Sequence, residues 1–165
     1  MRFEVRGVDR SIAQMQEIAA RLLTSTGKSV DYGTTLIQVE AQRQLTRYSH
    51  PPGTPTPAPP GGPPALVSGT LRRSIKARRP KQVSPGRIQG LVGPTVVYGP
   101  IQERGGTIYP HGQYLRWFDA AGYAHFARSV TLPPRPYMWY AVTLTRREIL
   151  DNFAWSWNRA LHPSM

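Results

Sequence analysis

The sequence predicts an α+β protein, a mainly antiparallel sheet of about four to five strands packed by N-terminal helices and a long C-terminal helix. Three observations predict it. Apolar residues recur at helical spacing before Pro51 and again after Pro136. Between those stretches the β-prone runs are short. Each is closed by a Gly- or Pro-containing turn. At 165 residues the chain has room for one domain with a real core and is short for two, so residues 1–165 are read as a single domain.

Phe3 and Val5 alternate with charged residues and suit a short edge strand. Asp9 suits the N-cap of a helix carrying Ile12, Met15, Ile18, Leu22 and Leu23. Gly27, in a polar run, is expected to interrupt or bend that helix. A second helical pattern follows in Val30, Thr34, Ile37, Ala41, Leu45 and Tyr48, up to the Pro51-Pro52 stop. Each stripe covers one face, so each helix needs a packing partner.

A Pro-rich loop or arm occupies residues 50–67. Its Pro51 to Pro64 portion carries no charge and nothing large to bury, which predicts that it stays out of the core. In polyproline II geometry it would reach on the order of 40 Å at ~3.1 Å per residue. It reads as a disordered loop or as an arm laid on a neighbouring subunit. An SH3-type ligand fits less well, because no basic residue flanks the prolines closely.

Ser68 suits the cap of a short helix through Ile75, with Leu71 and Ile75 facing inward. Lys76–Val83 and Arg87–Val92 then pair around the turn Ser84-Pro85-Gly86, with Ile88, Gly90 and Val92 on one face. Val96-Val97-Tyr98 is β-prone and ends at Gly99-Pro100. Ile101–Arg104 has room for one helical turn, which Gly105-Gly106 stops. Tyr114–Phe118 and Tyr123–Val130 form a hairpin around Asp119-Ala120-Ala121-Gly122. Pro133-Pro134-Arg135-Pro136 forces extended backbone and releases the chain into the last helix. Met138, Val142, Ile149, Phe153 and Trp157 form the apolar face of that helix. Trp155 falls off the stripe and reads as an exposed anchor or a semi-buried ring.

The formal charge is +12 and is unevenly placed: no acidic residue lies between Glu40 and Glu103. That gap holds Arg43, Arg47, Arg72, Arg73, Lys76, Arg78, Arg79, Lys81 and Arg87, a one-signed patch that favours a polyanion or an acidic partner. The absence of cysteine excludes disulfides and thiolate metal sites. No export signal and no membrane-spanning run is visible, so a soluble chain is expected.

The catalytic inventory is thin. His50, His111, His125 and His162 lie in or near predicted loops and hairpins, none with an i, i+4 partner. No phosphate-cradling loop, dinucleotide fingerprint or Gly-x-Ser-x-Gly appears. Glu103 is the acidic group of the central stretch. It reads as a structural ion pair with Arg104 or Arg135, or, against longer odds, as a general base. For Arg135 a backbone carbonyl is the alternative partner. These residues predict no active site, no metal and no cofactor.

Three segments carry a family resemblance. Ser68-Gly69-Thr70-Leu71-Arg72-Arg73-Ser74-Ile75 is similar to a T-G-x-L-R-x-S-I element. Val96 to Gly105 is similar to V-x-Y-[AG]-x-x-x-E-x-G, and Pro133 to Met138 to P-x-R-P-[YF]-[ML] before a terminal helix. In this order they resemble the tail-completion or neck proteins of tailed bacteriophages, a group that takes in virion-morphogenesis proteins and lambda-type minor tail protein Z. Ser68 stands where Thr is usual, and the Pro-rich run is an addition.

The resemblance implies a structural virion protein at the head–tail junction, made in the host cytoplasm. It would form a ring, of six copies by the symmetry usual in tail tubes. That ring would meet the head–tail connector or stopper and the tail terminator or tube, and double-stranded DNA would pass non-specifically through it. Tyr98, Glu103, Arg135, Tyr137, Pro51 and Pro64 are the expected partner or oligomer contacts. Arg72, Lys76, Arg78, Arg79, Lys81 and Arg87 are the DNA-channel candidates, with Arg72, Lys76 and Arg78 expected to face the channel together. The alternative is a sequence-independent nucleic-acid-binding protein using residues 72–87 as a phosphate-contacting strip. The lack of aromatics in that strip speaks against a single-strand binder. A nuclease is further off, for want of a carboxylate cluster.

Overall fold

The computed structural model describes residues 7–51, 58–119 and 121–162. The element order is α1 (Val8–Gln44), α2 (Thr70–Ser74), β1 (Ile75–Ser84), β2 (Arg87–Pro94), α3 (Gly99–Arg104), β3 (Gly106–Ile108), β4 (Leu115–Phe118), β5 (Ala124–Ala127), β6 (Val130–Leu132) and α4 (Met138–Leu161). The class is α+β. The strands form three two-stranded ribbons, β1–β2, β3–β6 and β4–β5. The chain groups into two compact units. The first holds the described parts of Met1–Thr34, Arg78–Leu91 and Arg146–Met165; the second holds those of Thr35–Ala77 and Val92–Thr145.

In the first unit the predicted break at Gly27 does not occur. A single helix of 37 residues runs through it, so two predicted helices are one. A helical glycine costs about 1 kcal/mol relative to alanine. Here the missing side chains admit neighbours. A Cβ on Gly33 would sit 3.2 Å from Ile149 of α4, and one on Gly27 would lie 3.9 Å from Ile88 of β2. From the ribbon side, a Cβ on Gly90 would meet Val30 and Thr34 at 2.6 Å each. The Ser25 hydroxyl donates to the Ser156 carbonyl at 2.9 Å, and the Trp157 indole N–H donates to Thr26 Oγ1 at 3.0 Å. Small residues on α1 thus face α4 and the ribbon, where polar groups cross-link closely spaced backbones.

At its start, α1 departs from expectation. Asp9 lies inside the first turn, where its charge still suits the helix dipole, and Gly7 precedes the helix at φ 98°. Ile12 and Met15 are 48% and 72% exposed, so the first stripe is only half used. The expected strand at Phe3 and Val5 lies outside the described residues.

The second unit holds the buried cluster Ala41, Leu45, Ile75, Tyr137 and Ala141, with Ile37, Leu71, Val92 and Met138 packed against it. Two glutamines on α1 secure the beginning of β1: Gln38 Oε1 accepts the Ala77 N–H at 2.6 Å, and Gln42 Nε2 donates to the Ile75 carbonyl at 3.3 Å. These bonds give backbone groups at the beginning of β1 side-chain partners from α1.

The turn at Ser84-Pro85-Gly86 forms as the sequence predicts, with Gly86 at φ 75°. The helix before β1 is capped by Gly69 at φ 73°, while Ser68 Oγ accepts the Thr70 N–H at 3.3 Å.

Val96–Tyr98 is a turn, not a strand. Pro94 ends β2, and the Gly99 N–H closes back on the Val96 carbonyl at 3.1 Å. A Cβ on Gly99 would sit 2.5 Å from Pro94, so the fold-back needs glycine. With that strand absent, nothing joins β1–β2 to the other pairs, and the expected single sheet becomes separate ribbons.

Gly106, read as a stop, instead begins β3, paired antiparallel with β6 through Gly106↔Leu132, Thr107↔Thr131 and Ile108↔Val130. The predicted run Tyr123–Val130 is split by a bend at Arg128 into β5 and the beginning of β6.

The Pro-rich run also needs correction. Residues 52–57 lie outside the described residues and Pro51 is exposed, but Ala58, Pro63 and Pro64 are buried. A proline ring is apolar and brings no N–H that burial would leave unsatisfied. The carbonyls of the run find donors: Ala58 O from Arg135 Nε at 3.1 Å and Gly61 O from the Tyr140 hydroxyl at 2.9 Å. The Gly61 N–H donates to Pro134 O at 3.1 Å. Ala58, Pro63 and Pro64 are therefore buried parts of the second unit, while Pro59 to Gly61 between them stay exposed.

On α4 the inward positions are Ala141 and Thr145, with Met138, Ile149 and Phe153 half-buried. Val142 and Trp157, expected on the apolar face, are each 45% exposed. Small inward residues let α4 approach closely, which moves the bulkier ones to the margins.

Gly90→Ala is expected to destabilise the protein by about 1–3 kcal/mol through overpacking against Val30 and Thr34. Gly93→Ala, with open space and ordinary backbone, is the control and should be near neutral. Chemical denaturation of both variants checks this.

Candidate functional site

The three segments that carry the family resemblance meet in the second unit, and Glu103 ties the second of them to the third. Gly105 ends α3 at φ 70°, with its N–H on the Ile101 carbonyl at 2.9 Å. A Cβ there would come within 2.7 Å of Leu132 O and Pro134 N. Only glycine both adopts that backbone and lets the chain before α4 pass so closely.

Glu103, two residues earlier, then reaches the N-terminus of α4. Its carboxylate accepts the Tyr137, Met138 and Trp139 N–H groups at 2.8, 2.9 and 2.9 Å. The first N–H groups of a helix have no intrahelical acceptor, and a negative charge there also meets the positive end of the dipole.

Arg135 does not pair with Glu103. Its side chain donates to Ala58 O, the backbone-carbonyl alternative, and its own N–H donates to Gln102 O at 2.9 Å. Tyr137 is fully buried, and its hydroxyl donates to Gly99 O at 3.2 Å. Burial, then the Glu103 charge and Tyr98, raise the Tyr137 hydroxyl above the usual tyrosine range. The Leu71–Ile75 segment enters the same cluster, and the Thr95 N–H donates to Ser74 O at 3.0 Å.

Of the expected partner contacts, Arg135, Tyr137 and Pro64 are buried inside their own unit. They serve the fold and are not surface contacts. Tyr98 stays 44% exposed and lines a small cleft of about 160 Å³ with Leu45, Pro64, Leu66 and Gln102. Glu103 is half-buried and committed to α4; Pro51 is exposed.

The basic residues all reach solvent. In the second unit these are Arg72, Arg73 and Lys76. In the first, Arg78, Arg79, Lys81 and Arg87 stand exposed on the β1–β2 ribbon. The inward position changes parity along β1, from Ala77 to Pro80, so Arg78 and Arg79 are both exposed despite being adjacent. Simple alternation would have hidden one of them.

An aromatic surface escaped the sequence reading. The β4–β5 hairpin and its flanks expose Tyr109, Tyr114, Trp117, Phe118, Tyr123 and Phe126, at 44–72%. Trp117 stacks on His125 at 5.4 Å, and the Arg116 guanidinium lies 4.8 Å over the Phe118 ring. Asp119 organises the turn: Oδ1 accepts the Ala121 and Tyr123 N–H groups at 3.0 and 2.9 Å, and Oδ2 meets His125 Nε2 at 2.9 Å. The adjacent pair Trp117-Phe118 was the available signal. Neighbours on a strand face opposite ways, and a strand covered on one side must expose one of them.

Among the described residues, no group of three or more His, Asp or Glu side chains is placed to hold a metal, and no helix is long and apolar enough to cross a membrane.

Glu103→Ala is expected to cost about 2–3 kcal/mol, since it removes a charged acceptor from several N–H groups, with Glu103→Gln recovering part of the loss. Denaturant melts of the two variants provide the check.

The hairpin should respond to acid. Hydrogen bonding from His125, then from the Tyr123 and Ala121 N–H groups, lowers the Asp119 pKa. A carboxylate depressed by folding stabilises the ordered form above its ordinary range, and that contribution disappears as pH falls through the lowered pKa. Tyr123 and His125 resonances should therefore shift together below the usual aspartate range. Asp119→Asn should abolish that transition.

No family model matches this chain, and no curated protein or solved structure is significantly similar to it.

Proposed function

We propose that the chain is a structural subunit of a tailed-phage neck. Copies of it form a ring, of six by the resemblance, that joins the head connector to the tail and lets DNA pass. The observation that carries this reading is the meeting of the three resembling segments at Tyr137, which packs with Ile75 and is held by Glu103 and Gly99. They are separate in sequence, yet Ile75 packs in one cluster with Tyr137, Glu103 caps α4 at Tyr137 to Trp139, and Tyr137 returns to Gly99. Residue types that are otherwise unrelated thus have one joint explanation, which supports treating the segments as a single inherited unit.

Two surface features suit the role. The exposed aromatics of the β4–β5 hairpin offer contact area to connector, stopper, terminator or tube proteins. The exposed cations of the β1–β2 ribbon suit a wall past which DNA slides. A conduit attracts its cargo diffusely, through interactions that salt screens.

The unpaired ribbon cations favour one second reading, a sequence-independent nucleic-acid-binding protein. Duplex-DNA titration of the isolated protein separates the two. A binder making about six phosphate contacts shows a salt slope near −5 on a log–log plot. In a binder that slope falls with Arg78→Glu and Arg79→Glu. For the neck subunit, binding at physiological salt should be negligible, while the same substitutions impair particle maturation. A particle reconstruction that places the chain as a single copy off the tail axis would overturn the ring.

A further inference from the structure

We infer that the cleft between α1 and α4 in the first unit is a phosphate-binding site. It measures about 660 Å³ and is lined by Glu17, Arg21, Thr24 and Lys28 from α1 and by Trp155 and Arg159 from α4. Three cations face one carboxylate, and among the described residues none of the four makes an ion pair.

Two details distinguish the cleft from a solvated basic face. Arg21 Nε is buried without a hydrogen-bond partner, a desolvated donor that lacks an acceptor. Arg159 lies over the Trp155 ring at 5.3 Å, which favours one orientation of its guanidinium. The helices that carry these groups are joined beside the cleft by Ser25 to Ser156 and by Trp157 to Thr26, so the walls are set by the fold.

Thr24 donates its hydroxyl proton to Ala20 O and Ser25 donates its own to Ser156 O, which leaves the arginine and lysine N–H groups as the donors open to an anion. An anion with several acceptor oxygens, able to take N–H groups from both arginines, is the complementary ligand. The shared chemistry is a phosphate group, free or on a nucleic-acid backbone. The inference does not depend on the neck reading.

The test uses the full chain and inorganic phosphate, with chloride at matched ionic strength as the reference. Phosphate should raise the melting temperature where chloride does not, and should shift the Trp155 indole resonance. Lys28→Gln, at an exposed position that folding tolerates, should weaken phosphate binding, as should Arg21→Gln and Arg159→Gln, each by roughly ten-fold or more. Arg116→Gln, on the β4–β5 hairpin, should leave it unchanged. Equal stabilisation by phosphate and chloride overturns the proposal, as does retained binding in Lys28→Gln and Arg159→Gln. A short duplex that displaces phosphate from the Trp155 signal identifies the backbone source. Phosphate binding that the duplex leaves undisturbed identifies a free phosphate, and both results support the site.

Discussion

The second unit depends on one carboxylate placed against one helix end. Glu103 receives the first N–H groups of α4, and every nearby peculiarity of sequence serves that contact. Gly105 lets the incoming chain run close beneath α3, and Pro134 and Pro136 restrict its backbone. Arg135 fastens it sideways to Ala58, and Tyr137 fills the space below. An uncapped, half-buried helix start would leave donors without acceptors in a place that water reaches poorly. The motif is best understood as a helix-docking device rather than as surface chemistry, which explains why its most distinctive side chains are buried.

The same view ranks the surfaces. What remains for partners is what folding does not use: the aromatic hairpin, Tyr98 and its cleft, and the ribbon cations. These differ in physical character. Aromatic rings supply area with little conformational freedom to lose, which suits lasting protein contacts. Exposed arginines and lysines without carboxylate partners act over longer range and weaken with salt. A subunit that must bind proteins firmly and DNA loosely would use the two kinds in that way.

Much of the fold was legible in the sequence because periodicity and turn chemistry are local. The β1–β2 ribbon, the turn of α3 and the β4–β5 hairpin follow from Ser84-Pro85-Gly86, Gly105 and Asp119 to Gly122. Misreadings arose where a neighbour decided the outcome. Gly27 reads as a helix breaker until Ile88 lies over it, and Gly33 works the same way beneath Ile149. Val96-Val97-Tyr98 has strand propensity, but Pro94 and Gly99 fold the backbone first. Ala58, Pro63 and Pro64 carry no hydrophobic pattern, and the run that holds them is fastened by donors from Arg135 and Tyr140. At the site, sequence spacing found Glu103 and Arg135 and put their pairing first, with a backbone carbonyl as the alternative for Arg135 that the structure takes; opposite charges are visible in a sequence and backbone N–H groups are not.

The buried cluster has a consequence for how the chain is made. Ala41 and Leu45 must wait for Tyr137 and Ala141, close to a hundred residues later, before they can be covered. Such distant closure is slow, because loop entropy is lost before contacts reward it. During synthesis the end of α1 and Ile75 emerge from the ribosome with their apolar faces bare, and they remain so until α4 arrives to be capped. An interrupted translation product therefore keeps a sticky, unfinished core that chaperones and proteases can recognise. Until α4 docks, the buried cluster of the second unit therefore stays open on the side that Tyr137 and Ala141 close.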